Sequence, residues 1–384
     1  MKTVVVRLTG SGVGAIAGVL VAGVRAMEVA GKVTGGKAVG LRVNGAVHTA
    51  IVNAAGEVVD DAMAVRVGEE HFELHTHGGT AVVAAVIRAV EEAGAQQVSL
   101  EKANRLGLLG RGIAGEVMMA MPLTRTITAV RLIASQAEEG LTRWAREWRA
   151  WAEGKAAGEL WRLHAAAQWL LERSRSLFFL LEPPRVAIVG PPNAGKSTLA
   201  NALLGRQVAI TSAIAGTTRD WVDAMATFVA GNIQVAVTLI DTAGVRETSD
   251  VLELESISRT HQQAYGADVI VLLMDGSRPQ EGGAQDRAML ERYRGGVVAM
   301  NKCDLEGGGE TFAENMESGI RVSAKTGAGL DELMRAVLVE LDLAEVRADE
   351  PFAFSKRQRD VLVALSLAED TPEALSLLEA LVIG

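Results

Sequence analysis

Arg185-Val-Ala-Ile-Val189 runs directly into Gly190-Pro-Pro-Asn193-Ala194-Gly195-Lys196-Ser197-Thr198, and this stretch sets the fold of the middle of the chain. The short apolar run predicts a buried strand and Thr198 to Leu204 a helix, so the segment G-x-x-x-x-G-K-S falls between strand and helix. In that context successive backbone N–H groups turn inward on an anion, and the helix N-terminus adds its positive end. Lys196 then supplies a point charge to the outer phosphates of a nucleoside triphosphate, and the Ser197 hydroxyl suits Mg2+.

A phosphate loop serves adenine and guanine nucleotides alike, so the base is read elsewhere. Asn301-Lys302-Cys303-Asp304 follows the apolar run Val297 to Met300, and Ser323-Ala324-Lys325 follows Gly319 to Val322. The Asp304 carboxylate can accept from guanine N1–H and the exocyclic amine, a pattern adenine lacks, and a base that leaves that carboxylate unpaired is rejected. Two further segments lie in between: Gly216-Thr217-Thr218-Arg219-Asp220, with Thr218 by position at Mg2+, and Asp241-Thr-Ala-Gly244 after the strand Val235 to Ile240. Asp241 is expected to hold the metal through water, and the Gly244 N–H to meet the γ-phosphate. Five elements in this order predict a Ras-like α/β P-loop GTPase over roughly residues 185–345, with GTP or GDP at the carboxyl ends of parallel strands.

Outward from that centre, 384 residues allow two or three domains. Lys plus Arg at 38 against Asp plus Glu at 47 gives a net charge of −9, which excludes a globally basic nucleic-acid binder. With 49% hydrophobic and 22% charged residues the chain lies far from the disordered regime. A single cysteine, Cys303, removes internal disulfides and cysteine metal clusters and fits a reducing, cytoplasmic setting. Lys2 and the small-residue run Val13 to Ala26 imitate a signal peptide, but Arg7 and Arg25 interrupt the apolar core. No membrane span is expected.

The flanks read as an α+β N-terminal domain over residues 1–122 and a helical domain in two parts, 123–183 and 347–384, with the GTPase domain of 184–346 inserted between them. In the first, Val4 to Val6, Ala38 to Val43, Ala46 to Val52 and Ala64 to Val67 predict strands, and Thr80 to Ala93 a helix. In the second, Trp144, Trp148, Trp151, Trp161 and Trp169 recur at helical spacing among Arg143, Arg146, Arg149 and Arg162. Such a stripe could stack on RNA bases, but an amphipathic helix pair burying its aromatics is favoured. Glu182-Pro183-Pro184 ends the helical part.

Asn193-Ala-Gly-Lys-Ser197, Val208 to Asp220 with its Gly-Thr-Thr-Arg-Asp ending, and Asp241-Thr-Ala-Gly-Val-Arg-Glu-Thr-Ser-Asp250 together closely resemble the MnmE (TrmE) tRNA-modification GTPases. Phe72 to Gly79, with its His77-Gly78-Gly79, is similar to the same family's N-terminal signature. The resemblance implies a homodimer in which facing GTPase domains draw in K+, held by Asn193 and switch-loop carbonyls, in place of an arginine finger. Val245 stands where many GTPases carry a water-orienting glutamine, and the family's catalytic glutamate falls at Glu253, with Glu255 close by. It further implies C5 modification of the wobble uridine of tRNA with a flavin-dependent partner, using a tetrahydrofolate derivative bound by the first domain. Two departures bear on that chemistry. Lys102 to Arg111 replaces the family's Pro-Gly-Glu-Phe-Thr stretch, and Val382-Ile383-Gly384 stands where the family carries Phe-Cys-Ile-Gly-Lys.

Three features lie outside that scheme. His75 and His77, at i and i+2, fit a turn-stabilising role better than metal or folate binding. Cys303 is expected to pack rather than react. Lys356-Arg357-Gln358-Arg359 opens the last expected helix and offers a basic patch or simply a solvated helix start. The alternatives to a full modification component are a diverged GTPase switch without modification chemistry and a ribosome-assembly GTPase of the Era or Der kind. The last is disfavoured because no KH-like RNA-binding segment follows the GTPase domain.

Overall fold

The structure, a computed structural model, describes residues 2–10, 12, 14–205, 224–240, 266–277, 284–305 and 319–384. Among the described residues, two six-stranded sheets, twelve α-helices and three short 3-10 helices make up the regular elements.

The first sheet contains β1 (Val4–Arg7), β2 (Ile16–Ala22), β3 (Ala46–Val52), β4 (Val58–Arg66), β5 (His71–His77) and β6 (Gln96–Gln97), in the order β3-β4-β5-β2-β1-β6. Its pairings are antiparallel except for β1 with β6. Strand β2 explains the signal-like run, because it lies between β5 and β1 and is buried on both faces. Val19 and Val21 point to one core with Phe72, Leu74, Val83 and Val86, while Leu20 and Ala22 join Val4, Val6 and Val98 on the other side. Helices α1 (Ala26–Val33) and α2 (Thr80–Glu92) cover the first of these faces.

Two expectations in this region are corrected. Ala38 to Val43 is a series of turns, not a strand: Gly35 and Gly36 both take positive φ, and Val39 and Leu41 N–H close back on Gly36 and Ala38 carbonyls. His75 and His77 stabilise no turn. They stand on β5, with His75 Nε2 3.1 Å from Glu73 and His77 Nδ1 2.7 Å from Asp60.

The helices α3 (Leu100–Arg105), α4 (Gly112–Ala120), α5 (Ile127–Ser135), α6 (Leu141–Ala152) and α7 (Trp161–Leu177) follow. Of the tryptophan stripe, Trp144, Trp148 and Trp151 pack on α6, with ring centroids 6.2 and 5.2 Å apart in succession. Trp161 and Trp169 are exposed at 62% and 52%, so the expectation that the stripe buries its aromatics holds for α6 and fails for α7.

The second sheet holds β7 (Arg185–Val189), β8 (Ala224–Ala230), β9 (Ile233–Ile240), β10 (Val269–Asp275), β11 (Val297–Asn301) and β12 (Ile320–Arg321), in the order β12-β11-β10-β7-β9-β8. All pairs are parallel except the edge strand β8. Helices α8 (Lys196–Gly205), α9 (Ala284–Arg292) and α10 (Leu330–Glu340) accompany it. This is the α/β layout of a P-loop GTPase, and strands with apolar side chains on both faces explain its near-continuous hydrophobic runs.

The chain then returns to the helical layer as α11 (Lys356–Leu365) and α12 (Thr371–Ile383). Lys356 therefore opens the penultimate helix, not the last. Asp370 caps α12 by accepting from the Glu373 N–H at 2.8 Å, with Pro372 in the first turn. Nor is Lys356 to Arg359 a free basic patch. Lys356 pairs with Asp360, Arg357 with Glu116 on α4, and Arg359 lies 5.0 Å from the Phe178 ring centroid.

Candidate functional site

Among the described residues, those that the sequence assigns to a nucleotide gather at the carboxyl ends of β7, β11 and β12. The first of these strands ends in a loop that must pass close to its neighbour: a Cβ on Gly190 would collide with the Leu273 carbonyl of β10. Asn193 takes a left-handed φ of 63°, and Gly195 one of 95°. At Gly195 a side chain is excluded twice, by that φ and because its Cβ would meet the Asn301 amide nitrogen. Ala194 between them is fully buried, whereas Asn193 and Thr198 are exposed.

Lys196 opens α8 and folds back over the loop, donating from Nζ to the Gly190 carbonyl at 3.1 Å and the Pro191 carbonyl at 3.0 Å. Burial disfavours its ammonium and pushes its pKa below the ordinary lysine value. A cation partly stripped of water and bonded, among the described residues, by neutral carbonyls is suited to a phosphate. Ser197, half-buried, is the next residue on the helix.

Asn301 joins the two ends of the site. It is 3% exposed, yet both ends of its amide are satisfied: Nδ2 donates to the Ala194 carbonyl at 2.7 Å, and Oδ1 accepts from the Ala324 N–H at 2.9 Å. The phosphate loop and the Ser323-Ala324-Lys325 loop are thereby tied through one buried side chain. Buried Ser323 donates from Oγ to Asp304 Oδ1 at 2.7 Å, and this bond holds the exposed Asp304 carboxyl below its usual pKa. Lys325 is exposed beside them. Cys303 is half-buried, and its backbone N–H donates to the Val322 carbonyl at 3.1 Å.

The sequence reading missed Asp275. It ends β10, lies in register opposite Asn301, and takes Lys302 Nζ at 2.7 Å. Burial alone would raise its pKa, but hydrogen bonds from Lys302 and Ser277 outweigh this and hold the carboxyl below its usual value. A detectable signal was present: Asp275 closes the apolar run Val269 to Met274, where nothing in a buried strand calls for a charge.

Thr217, Thr218, Asp241, Gly244, Glu253 and Glu255 lie outside the described residues.

A strand–loop–helix turn of the G-x-x-x-x-G-K-S kind, tied by one buried asparagine to the Ser323-Ala324-Lys325 loop on a mostly parallel sheet, defines a P-loop GTPase, an enzyme that hydrolyses GTP. A family model described as "50S ribosome-binding GTPase" matches residues 185–302. Over 322 residues the chain is 35% identical to the tRNA modification GTPase MnmE of Methylorubrum populi, covering 73% of this chain and 68% of that one. It is 31% identical to the MnmE of Halorhodospira halophila over 97% of this chain and 86% of that one. The chain belongs to the MnmE family of tRNA modification GTPases. Among solved structures, an Era variant from Aquifex aeolicus bound to GDP and aluminium fluoride matches at 28% identity over 48% of this chain and 65% of that one, with a TM-score of 0.31.

Proposed function

We propose that the chain hydrolyses GTP as the switch of a tRNA-modification system acting at C5 of the wobble uridine with a flavin-dependent partner. The supporting observation is the buried Asn301 bridge, which fixes the phosphate loop and the base-reading loops in one frame. In this reading the loop N–H groups of residues 193–198 and Lys196 hold the phosphates, Asp304 reads the guanine edge, and Ala324 and Lys325 flank it. Ser197, Thr218 and, through water, Asp241 would hold Mg2+, a role for which the half-buried Ser197 hydroxyl at the helix start has suitable chemistry. Bound there, the ion neutralises charge on the phosphate oxygens.

Because Val245 replaces a water-orienting glutamine, the charge that speeds hydrolysis is assigned to K+ held near Asn193 when two GTPase sheets face each other, with Glu253 positioning water and the Gly244 N–H on the γ-phosphate. Asn193 supports this by standing exposed in the left-handed conformation at the loop apex. Turnover measured in K+ and in Na+ tests it. The wild type should hydrolyse faster in K+, and Asn193→Ala should lose that difference; equal wild-type rates in both salts would remove the potassium assignment.

The replaced stretch Lys102 to Arg111 favours a second reading, a GTPase switch without folate chemistry. Part of it is committed to structure: Ser99 caps α3 through the Lys102 N–H at 3.1 Å, and Ala103 and Leu109 are buried. Calorimetric titration with formyl-tetrahydrofolate, with capture of a flavoprotein and tRNA from the native cell, separates the two. Folate heat and both partners support the modification component, whereas none of the three leaves the switch.

A further inference from the structure

We propose that Asp275, which is not placed against the nucleotide, is a positioning residue for guanine recognition: it pins Lys302 and so fixes the turn that presents Asp304. The inference rests on the guanine-site reading above and adds to it a residue outside the five sequence elements.

Lys302 has a φ of 67°, a left-handed conformation that a lysine rarely adopts unless its surroundings impose it. It stands where β11 ends and the turn toward Asp304 begins, and the Leu305 N–H closes that turn on the Lys302 carbonyl at 3.1 Å. Beyond Lys302, Cys303 is fixed by the Val322 carbonyl and Asp304 by Ser323. Before it, Asn301 is locked by its two amide bonds. Lys302 itself is a long, rotamer-rich side chain, and the bond that fixes it is the one to Asp275.

Asp275 is built for that task. Its side chain is 9% exposed, and Oδ1 is occupied by the Ser277 N–H at 3.0 Å and the Ser277 hydroxyl at 2.6 Å. That leaves Oδ2 aimed at the lysine, 2.7 Å away. The backbones are locked as well: the Gly276 N–H donates to the Asn301 carbonyl at 2.8 Å, and a Cβ on Gly276 would come within 2.9 Å of that same oxygen. A largely buried carboxylate held by Ser277 on one oxygen and Lys302 on the other has one orientation, and so has the ammonium it pairs with.

The test measures GTP turnover and GDP affinity for the wild type, Asp275→Asn, Asp275→Glu, Lys302→Met and the double variant Asp275→Asn/Lys302→Met. Asp275→Asn should raise KM for GTP and Kd for GDP about tenfold while kcat stays within about twofold, because hydrolysis occurs at the opposite end of the nucleotide. Lys302→Met should do the same, and the double variant should be no weaker than either single one. Asp275→Glu, which keeps the charge, should recover part of the affinity and shows that the Asn effect is not a failure to fold. An unchanged KM in Asp275→Asn, losses that multiply in the double variant, or a loss in kcat with KM intact would each overturn the proposal. A wild type that binds GDP no better than ADP would instead overturn the guanine-site reading on which it rests.

Discussion

At Gly195 a single hydrogen atom is what lets Asn301 bridge the site. Replacing it by alanine forces a side chain into a backbone of φ 95° and against the Asn301 amide, a strain of order 1–3 kcal/mol confined to the loop. Gly195→Ala is therefore expected to keep its circular dichroism spectrum while nucleotide affinity falls more than tenfold; affinity near the wild-type value would contradict the collision. Asp275 supplies the pH dependence. Its folded pKa lies below that of a free carboxylate, so its contribution is complete above the unfolded value near 3.9 and is lost as pH falls through the lower folded value. GDP affinity should therefore be insensitive to this group between pH 7 and 5 and weaken only below about 4. Asn301 and Asp304 were legible in the sequence because their spacing encodes chemistry. Asp275 leaves one mark there, a charge closing an apolar run, but its role comes from the β10–β11 register, which a linear reading does not contain.

At the scale of elements, the segment between α10 and α11 is strapped to the helical layer. Arg173 on α7 pairs through Nε with Glu350 at 2.6 Å and through Nη1 with Asp342, with Arg173 and Glu350 only 11% and 13% exposed. The fully buried Gln136 adds to it, donating to the Glu350 carbonyl at 2.9 Å and accepting from the Phe352 N–H at 3.2 Å. Removing Glu350 leaves the largely buried Arg173 with the exposed Asp342 carboxylate as its remaining charged partner among the described residues, so Glu350→Ala should cost about 2 kcal/mol in denaturant unfolding. A loss under about 0.5 kcal/mol, the level of exposed pairs, would show that the strap carries no weight. Elements with one unambiguous period were read correctly: β3 matches its expected bounds, and the expected helix from Thr80 ends one residue early. The misses have separate causes. Glycines unmade the strand at 38–43, Asp60 and Asp61 hid the first half of β4, and the Asp370 cap marked a helix that the sequence reading had run into its predecessor.

Across the whole molecule, one continuous apolar core runs from α4 and the helical layer into the GTPase sheet, joining Val117, Leu132 and Leu170 to Val186, Val237 and Leu338. Helix α4 belongs to it although it precedes residue 123. Nucleotide binding is thus linked to the stability of both layers, and GDP at a hundred times its Kd should add about 2.7 kcal/mol to the unfolding free energy. A thermal scan followed by tryptophan fluorescence, which reports on α6 and α7, should show a transition that GDP raises and ADP leaves unmoved, whereas the first sheet has its own cores; a tryptophan transition that GDP does not shift would contradict the shared core. The central claim, that Asp304 reads guanine, has a more direct test in Asp304→Asn. An amide there can donate to the extra carbonyl of xanthine and no longer accepts both guanine N–H groups. GTP turnover at low substrate should fall on the order of a hundredfold while XTP becomes the preferred substrate. If the variant still prefers GTP to XTP, the base is read by some other group and the assignment is wrong.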